Sequence, residues 1–284
     1  MFGTCCVCLC VLNNEQGLPS VLNNIQKMQR LFTIEIIVYY DKSHDKSLEI
    51  LENYHRTHTN ITIIKGVSKL YTGANERTKN LSTARNFLLQ AIRKWYIPPD
   101  YFIMMDSNEY ACVGDINIDI LETVLKYREC WDSVSFDREA GYYDYWALSI
   151  QPFIYSFFHM GPKSRDIDLC RKYLHNIFQI YKPMGENAFI PVHSAFNGFA
   201  IYKTSKFIEC YYSDIIDWTL FPEGTIQTHM ACVSKSLIRI FDRDCEHRHF
   251  HLQAIKQNSA KIYIYPYSLF KKVENPPPNA RGPC

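Results

Sequence analysis

The stretch YFIMMDSN, residues 101–108, decides the fold. Its five leading apolar or aromatic residues are typical of a short strand that is buried on both faces of a parallel α/β sheet. The strand is predicted to end at three polar residues, Asp106, Ser107 and Asn108. Ligands bind at the carboxyl ends of such strands, and the oxygen atoms of Asp106 and Asn108 suit Mg²⁺ or Mn²⁺ carrying a phosphate. On its own, the octet also fits an ordinary Asp/Asn turn.

The composition indicates an ordinary globular protein. The chain has 284 residues, of which 47% are hydrophobic and 21% charged, and its formal net charge is +2. This length allows one large or two small domains. A net charge this small gives no general attraction to nucleic acid or acidic lipid, so we expect no nucleic-acid partner. Any phosphate must then be bound by local groups.

The cysteines and the apolar start of the chain indicate its compartment. Four of the eleven cysteines, Cys5, Cys6, Cys8 and Cys10, lie in an apolar run and are interpreted as small buried thiols in a reducing compartment. A zinc site built from C-x-C is the alternative. The run at residues 5–12 is too short to span a bilayer and no basic residue precedes it. We therefore predict a soluble, cytoplasmic protein with no integral membrane segment.

The first hundred residues alternate between predicted strands and helices. Strands are predicted at residues 5–12, 34–40 and 61–64, and helices at 19–32, 45–55 and 84–95. This order predicts a parallel α/β unit.

Polar residues at the ends of these elements are site candidates. Asp41 follows the second strand, and Arg77 lies in the loop before the third helix, which Ser82 or Thr83 is predicted to cap. Arg85 would then lie in the first turn, where the helix dipole disfavours a cation, so we predict an anionic or acidic partner for it. A solvated surface arginine is the alternative.

The second half of the chain is richer in aromatic residues. The segment GYYDYWAL, residues 141–148, places Asp144 among four aromatic rings. Such rings offer flat faces to sugars or bases, and partial desolvation would raise the pKa of Asp144 towards that of a useful base. A hairpin with core aromatic residues is the alternative.

The remaining segments are less regular. Helices are predicted at residues 116–127, 165–181 and 225–236, strands at 133–136 and 237–241, and a turn at Asn197-Gly198 that leads into a strand. His247, His249 and His251 alternate and would share one face if extended, where one of them could complete a metal site. A histidine-rich surface strand is the alternative.

The order of these features resembles a GT-A glycosyltransferase. The motifs that carry the resemblance are VYYD at 38–41, ARN at 84–86, DSN at 106–108 and CEH at 245–247. More narrowly, YDYWAL at 143–148, NGFAIY at 197–202 and CEH are similar to glycosyltransferases of large DNA viruses and to fungal capsule mannosyltransferases. The resemblance implies one GT-A domain at residues 1–270, with a mainly parallel sheet flanked by helices. Residues 1–110 would bind the nucleotide sugar, residues 111–270 the acceptor, and residues 271–284 would form an extended or disordered tail.

The resemblance also implies the activity, which is transfer of a monosaccharide from a UDP- or GDP-linked sugar to a glycan or glycoprotein acceptor. The host cytoplasm would be the location if the chain is viral. The implied donor site consists of Asp41 at the base, Arg77 and Arg85 near base or phosphate, and Asp106 and Ser107. The implied Mn²⁺ or Mg²⁺ ligands are Asp106, Asn108 and His247. Asn108 departs from the acid expected at its position, which weakens metal affinity and leaves a metal-independent variant open.

An inverting reaction needs a base behind the anomeric carbon. Asp144 is the first candidate and Glu223 the second. The acceptor platform would comprise Tyr143, Tyr145, Trp146, Asn197 and Gly198.

Two other functions share some of these features. A sugar nucleotidyltransferase would use a similar nucleotide-binding half, but residues 13–17 lack the glycine-rich phosphate loop. A non-catalytic carbohydrate-binding module would explain the aromatic residues but not the paired Asp106 and Asn108.

Overall fold

The computed structural model describes residues 1–66, 76–154, 165–232 and 243–271, and of residues 165–167 it describes the backbone. Within these residues the strands are β1 (Thr4–Val11), β2 (Thr33–Tyr40), β3 (Ile61–Lys65), β4 (Tyr101–Asp106), β5 (Ser133–Asp137), β6 (Ile190–Val192), β7 (Phe199–Lys203) and β8 (Ile262–Ser268). The α-helices are α1 (Leu18–Met28), α2 (Ser47–Thr57), α3 (Arg77–Arg93), α4 (Ile118–Lys126), α5 (Arg165–Tyr181), α6 (Thr204–Phe207), α7 (Thr225–Cys232) and α8 (Glu246–Asn258). Short 3₁₀ helices span Lys182–Asn187 and Trp218–Leu220.

The described strands form one mixed sheet in the order β3-β2-β1-β4-β7-β5-β8-β6. Strands β3, β2, β1 and β4 are parallel, whereas β7 runs antiparallel between β4 and β5. Strand β8 is parallel to β5, and β6 is antiparallel to β8. The predicted α/β fold, a mainly parallel sheet flanked by helices, is confirmed, and YFIMMD forms its central strand β4.

The apolar residues of β1 build both layers of the core, because alternate side chains point to opposite faces. Val7 and Leu9 pack with α1 and α4, whereas Cys6 and Cys8 pack with α3 and α8. Cys5, Cys6 and Cys8 are buried free thiols, as predicted, whereas Cys10 is free but only partly buried. The described residues contain no group of three or more His, Cys, Asp or Glu side chains that could hold zinc.

Three local predictions need correction. Helix α3 begins at Arg77, so Ser82 and Thr83 do not cap it; their hydroxyls donate to the carbonyl of Lys79, each at 2.9 Å. Arg85 therefore lies in the third turn and not in the first.

The late histidines lie on helix α8 and not on an extended strand. The sequence interpretation also missed β6 and β8. The strand predicted at residues 237–241 lies outside the described residues, as do residues 233–236 of the helix predicted at 225–236 and residues 272–284 of the tail.

None of the helices in the described ranges combines the length and apolar character that a membrane span requires.

Candidate active site

The carboxyl ends of three neighbouring parallel strands form one edge of the sheet. In the register of the sheet, Cys10 near the end of β1 lies opposite both Tyr39 of β2 and Asp106 of β4. Asp41 follows β2 directly, and its backbone N–H donates to the carbonyl of Val11 at 2.9 Å. The sheet therefore brings Asp41 and Asp106 to the same edge, as predicted.

Asp106 is the acidic residue at the centre of this edge. Its backbone N–H donates to the carbonyl of Gly198 at 2.8 Å, and its side chain is 25% exposed. The Nη2 atom of Arg85 lies 3.4 Å from its carboxylate. Burial raises the pKa of Asp106, while Arg85, Arg77 and a hydrogen bond from Tyr143 act in the opposite direction. The carboxylate is thus fixed in place and still open to a ligand.

Arg85 joins Asp106 to a second acid. Its Nη1 atom is ion-paired with Glu246, and the side chains of both residues are almost fully buried. The guanidinium group also lies over the ring of Phe196, with Cζ 5.1 Å from the ring centroid. The predicted acidic partner of Arg85 is therefore present, although the reason given for it, a first-turn position, is wrong. Glu246 was missed as a candidate residue; it is the middle residue of the CEH motif that carried the resemblance.

Asp144 is held by the backbone of its own loop and of the turn before β7. Its carboxylate accepts hydrogen bonds from the N–H of Ala147 at 3.2 Å and of Asn197 at 3.3 Å. Burial raises its pKa to about 6, and the charge of Asp106 contributes in the same direction. The predicted rise in the pKa of Asp144 is therefore confirmed, whereas its role as a base stays a prediction.

The turn at Asn197-Gly198 connects the loop of Asp144 to β4. Asn197 has φ 55° and Gly198 has φ 85°, both in the left-handed region. The amide group of Asn197 accepts from the N–H of Tyr143 at 3.1 Å and donates to the carbonyl of Phe136 at 2.8 Å. A Cβ atom on Gly198 would lie only 2.8 Å from the hydroxyl of Tyr143, so glycine is required there.

The predicted acceptor platform is partly buried around Asp144. Tyr143, Tyr145 and Trp146 each keep some exposure. The ring of Tyr145 lies 5.7 Å from the guanidinium of Arg171, and the ring of Tyr143 lies 4.7 Å from that of Arg138. Of these rings, Tyr143 also donates a hydrogen bond to Asp106. Their contact with an acceptor stays a prediction.

Two of the other predicted residues, Ser107 and Glu223, do not contact Asp106 or Asp144 through their side chains. Ser107 is buried, and its hydroxyl lies 2.8 Å from both the carbonyl of Cys10 and the side-chain oxygen of Asn14. Glu223 is exposed on the loop before α7, and its side chain forms no hydrogen bond or ion pair with any residue in the described ranges. The structure does not bring Glu223 into contact with Asp106 or Asp144.

The predicted metal ligands do not fit a divalent cation as they are arranged. The Oδ1 atom of Asn108 accepts backbone hydrogen bonds from Tyr110 at 3.1 Å and Ala111 at 2.9 Å, which use both of its lone pairs. His247 is buried and stacked on Phe196, with the ring centroids 3.8 Å apart. Neither of its ring nitrogens has a hydrogen-bond partner among the described residues. Its Nε2 atom lies 3.9 Å from Glu246, the acid that already binds the guanidinium of Arg85.

A cation bound to both Asp106 and His247 would need to displace the guanidinium group of Arg85, which is paired with Asp106 and Glu246. Placing a divalent ion beside a buried guanidinium is electrostatically unfavourable. We therefore derive no chemical step through a metal at these residues.

A pocket of about 170 Å³ opens beside these residues at the same edge of the sheet. The loops that follow β1, β2 and β4 line it, through Asn13, Asn14, Glu15, Gln16, Gly17, Asp45, Asn108, Glu109 and Tyr110.

Comparison with known proteins identifies the fold. No protein-family model and no curated protein matches the chain. Among solved structures, one match is the mannosyltransferase PcManGT from Pyrobaculum calidifontis in complex with GDP-Man and Mn²⁺. The match covers 93% of this chain and 55% of the PcManGT chain, with 11% identity and a TM-score of 0.51. TarS 1-349 from S. aureus matches over 93% of this chain and 60% of its own, with 13% identity and a TM-score of 0.45.

A third match is the glucosyl-3-phosphoglycerate synthase from Mycobacterium tuberculosis in complex with Mn²⁺, UDP and phosphoglyceric acid. It covers 72% of this chain and 57% of its own, with 15% identity and a TM-score of 0.38. The chain thus spans a little over half the length of these proteins. At such identities the likeness concerns the fold alone, which is the GT-A glycosyltransferase fold predicted from the sequence.

Proposed function

We propose that this chain is a glycosyltransferase that moves a monosaccharide from a nucleoside-diphosphate sugar, UDP- or GDP-linked, to a hydroxyl group of a glycan or glycoprotein acceptor. The observation that carries the proposal is the approach of two differently held carboxylates at the ligand-binding edge of a GT-A fold. Asp106 is ion-paired with Arg85, and Asp144 has a pKa of about 6. A carboxylate with such a raised pKa suits a general base near neutral pH.

The donor half of the site comprises the ends of β1, β2 and β4 and the start of α3. We propose that Asp41 binds the base and that Asp106 accepts hydrogen bonds from sugar hydroxyls. Arg77 and Arg85 are proposed to supply positive charge near the base or the diphosphate, and Arg85 does so from a buried position, paired with Asp106 and Glu246. The solved structure of PcManGT contains GDP-Man, and the shared fold supports a nucleotide sugar as the class of donor here.

The reaction breaks the bond between the anomeric carbon and the phosphate oxygen, whose electron pair leaves with the nucleoside diphosphate. A new bond forms between the anomeric carbon and the acceptor oxygen. The proton of the acceptor hydroxyl goes to Asp144, which is mostly ionised at pH 7 because its pKa is about 6. This sequence inverts the configuration. Glu223 stays the second candidate for the base, and a retaining reaction would need neither.

Other sequence predictions accompany this proposal. They include the division into a donor half at residues 1–110 and an acceptor half at residues 111–270. Tyr143, Tyr145, Trp146, Asn197 and Gly198 are proposed to contact the acceptor. Dependence on Mn²⁺ or Mg²⁺, kinship with viral and fungal capsule enzymes, and a cytoplasmic location rest on sequence only.

A hydrolysis screen of nucleotide sugars tests the proposal, because glycosyltransferases of this kind slowly hydrolyse their own donor. The protein is incubated with a panel of UDP- and GDP-sugars, with and without Mn²⁺, and release of the nucleoside diphosphate is measured. We expect release from one or a few donors and its loss in Asp144→Asn. No release from any donor, together with calorimetric binding of free sugars but not of nucleoside diphosphates, would indicate a carbohydrate-binding module.

A further inference from the structure

Two arginines, Arg77 and Arg138, border the proposed donor site. Neither Arg77 nor Arg138 forms an ion pair with any residue in the described part of the chain. Arg85, by contrast, is paired with both Asp106 and Glu246. Arg77 is exposed and Arg138 is partly exposed, so both guanidinium groups are open to a ligand.

Arg138 reaches the site from the strand beyond β7. Strand β5 is antiparallel to β7, which is antiparallel to β4, so β5 and β4 end at the same edge of the sheet. Arg138 directly follows β5, two strand positions or roughly 10 Å from β4. Its guanidinium lies 4.7 Å from the ring of Tyr143, whose hydroxyl binds Asp106.

Arg77 reaches the site from the opposite side. Helix α3 precedes β4 in a crossover between parallel strands, so its amino terminus points to the carboxyl edge of the sheet. Arg85 contacts Asp106 at the end of β4. Arg77 is eight residues earlier, about 12 Å further along the helix, and therefore projects beyond the end of the strand. The space between Arg77 and Arg138 is where a ligand of Asp106 would lie.

We propose that the guanidinium groups of Arg77 and Arg138 bind the two phosphates of the donor and stabilise the departing nucleoside diphosphate, so that transfer proceeds without a divalent cation. Two guanidinium groups carry the same charge as one divalent ion, and each can donate two hydrogen bonds to a phosphate. The inference rests on the proposed function and replaces the predicted metal. It also explains why Asn108 can use its amide oxygen within its own turn.

Calorimetric titration of UDP and GDP, in a chelating buffer and in Mn²⁺, tests this inference. The proteins are the wild type, Arg77→Gln, Arg138→Gln and, as a matched control, Arg30→Gln. Arg30 is exposed and follows the carboxyl end of α1, a helix that connects two parallel strands and therefore ends at the opposite edge of the sheet. We expect the wild type to bind one of the two nucleotides equally well in both buffers.

We expect Arg77→Gln and Arg138→Gln to weaken that binding by about 10-fold or more each, as for loss of a charge-assisted hydrogen bond. Binding of the matching nucleoside monophosphate should weaken less, and Arg30→Gln should bind as the wild type does. Nucleotide binding by the wild type that requires Mn²⁺ would overturn the inference, as would unchanged binding by both site variants. Binding of neither nucleotide in either buffer would instead contradict the proposed function itself.

Discussion

The proposed donor half, residues 1–110, and the proposed acceptor half, residues 111–270, bury charge to very different extents. Among the described residues up to 108, Arg85 is the one buried side chain of the Asp, Glu, Lys, Arg and His types. After residue 108, the whole segment 246–254 of α8 is buried, and it includes Glu246, three histidines and Arg248. The donor half is therefore stabilised mainly by apolar packing, whereas the acceptor half depends on pairs of buried charged and polar groups.

Because of this difference, a substitution at Asp106 can change ligand binding and catalysis without a large change in stability. An apolar sheet positions this carboxylate, so its removal should affect ligands more than the fold. The buried charged groups of α8 should behave in the opposite way, because an unpaired buried charge destabilises a protein strongly. Substitutions in the two halves test this difference.

The largest effect is expected for Asp144→Asn, in the acceptor half. The amide cannot take the proton of the acceptor hydroxyl, so we expect kcat to fall by about 1000-fold with donor affinity unchanged. In the wild type, kcat/KM should fall as the pH decreases through about 6, because protonation of Asp144 removes the base. Steady-state kinetics over pH 5–8 checks both points. Full activity of Asp144→Asn would place the base elsewhere, with Glu223→Gln as the next variant to measure.

The next effect is expected for Asp106→Asn, in the donor half. We expect kcat/KM to fall by about 100-fold, as for loss of a charged hydrogen-bond acceptor, with little change in Tm. Asp100→Asn is the matched control. Asp100 directly precedes β4, at the opposite end of that strand from Asp106. Its carboxylate accepts hydrogen bonds from the backbone and side chain of Thr4, at 2.7 and 2.9 Å. The control should lose stability and keep activity; unchanged turnover in Asp106→Asn would remove Asp106 from the site.

A smaller effect is expected where the two halves meet, at Gly198. In Gly198→Ala the new Cβ atom would lie 2.7 Å from that of Ala111 and 2.8 Å from the hydroxyl of Tyr143, at a φ of 85°. We expect roughly 3 kcal/mol lower stability and slower turnover, because Tyr143 is displaced from Asp106. Gly141→Ala has a similar φ of 91° but no atom within 4 Å, so it should lose only about 1 kcal/mol. Equal losses in the two variants, measured by denaturant unfolding, would show that the contact with Tyr143 is unimportant.

The smallest effect concerns the buried histidines of the acceptor half. Burial, with the charge of Arg85, lowers the pKa of His251 to about 3 from an ordinary 6.5. The folded state keeps it neutral between the hydroxyls of Ser194 and Tyr202, so below pH 6.5 the unfolded state binds the extra proton. The free energy of unfolding should therefore fall as the pH decreases from 6.5 towards 3. The contribution of His251 to this fall should be about 2 kcal/mol at pH 5.

The variant His251→Gln tests this prediction by the slope of stability against pH. It should be less stable than the wild type at pH 7 but lose less stability between pH 7 and pH 5. His44→Gln, at an exposed histidine, should keep the slope of the wild type. A slope in His251→Gln that equals that of the wild type would contradict the lowered pKa.

The difference between apolar packing in the first half and buried charged pairs in the second also explains how much of the structure the sequence could predict. Strands such as YFIMMD are continuous apolar runs and the helices between them have regular apolar spacing, so the order β1 to β4 was predictable to within a few residues at most boundaries. Asp41 and Asp106 followed, because polar residues after parallel strands meet at one edge. The position of Arg85 was not predictable, since the start of α3 depends on residues 77–80, which have no strong apolar pattern.

The acceptor half was harder to predict for a physical reason. Helix α8 carries polar side chains on all its faces, which sequence patterns indicate as exposed, yet its partners come from distant segments. Glu246 pairs with Arg85, 161 residues earlier, and His251 with Tyr202, 49 residues earlier. Such pairing satisfies buried polar groups but leaves no periodic signal in the local sequence. The Asn197-Gly198 turn, which the local sequence does specify, was predicted correctly.

A crystal structure of the protein with bound UDP or GDP tests the central claim most directly. The account predicts the diphosphate at the carboxyl end of β4, beside Asp106 and between Arg77 and Arg138, with the base near Asp41. A nucleotide bound away from this edge of the sheet would contradict it.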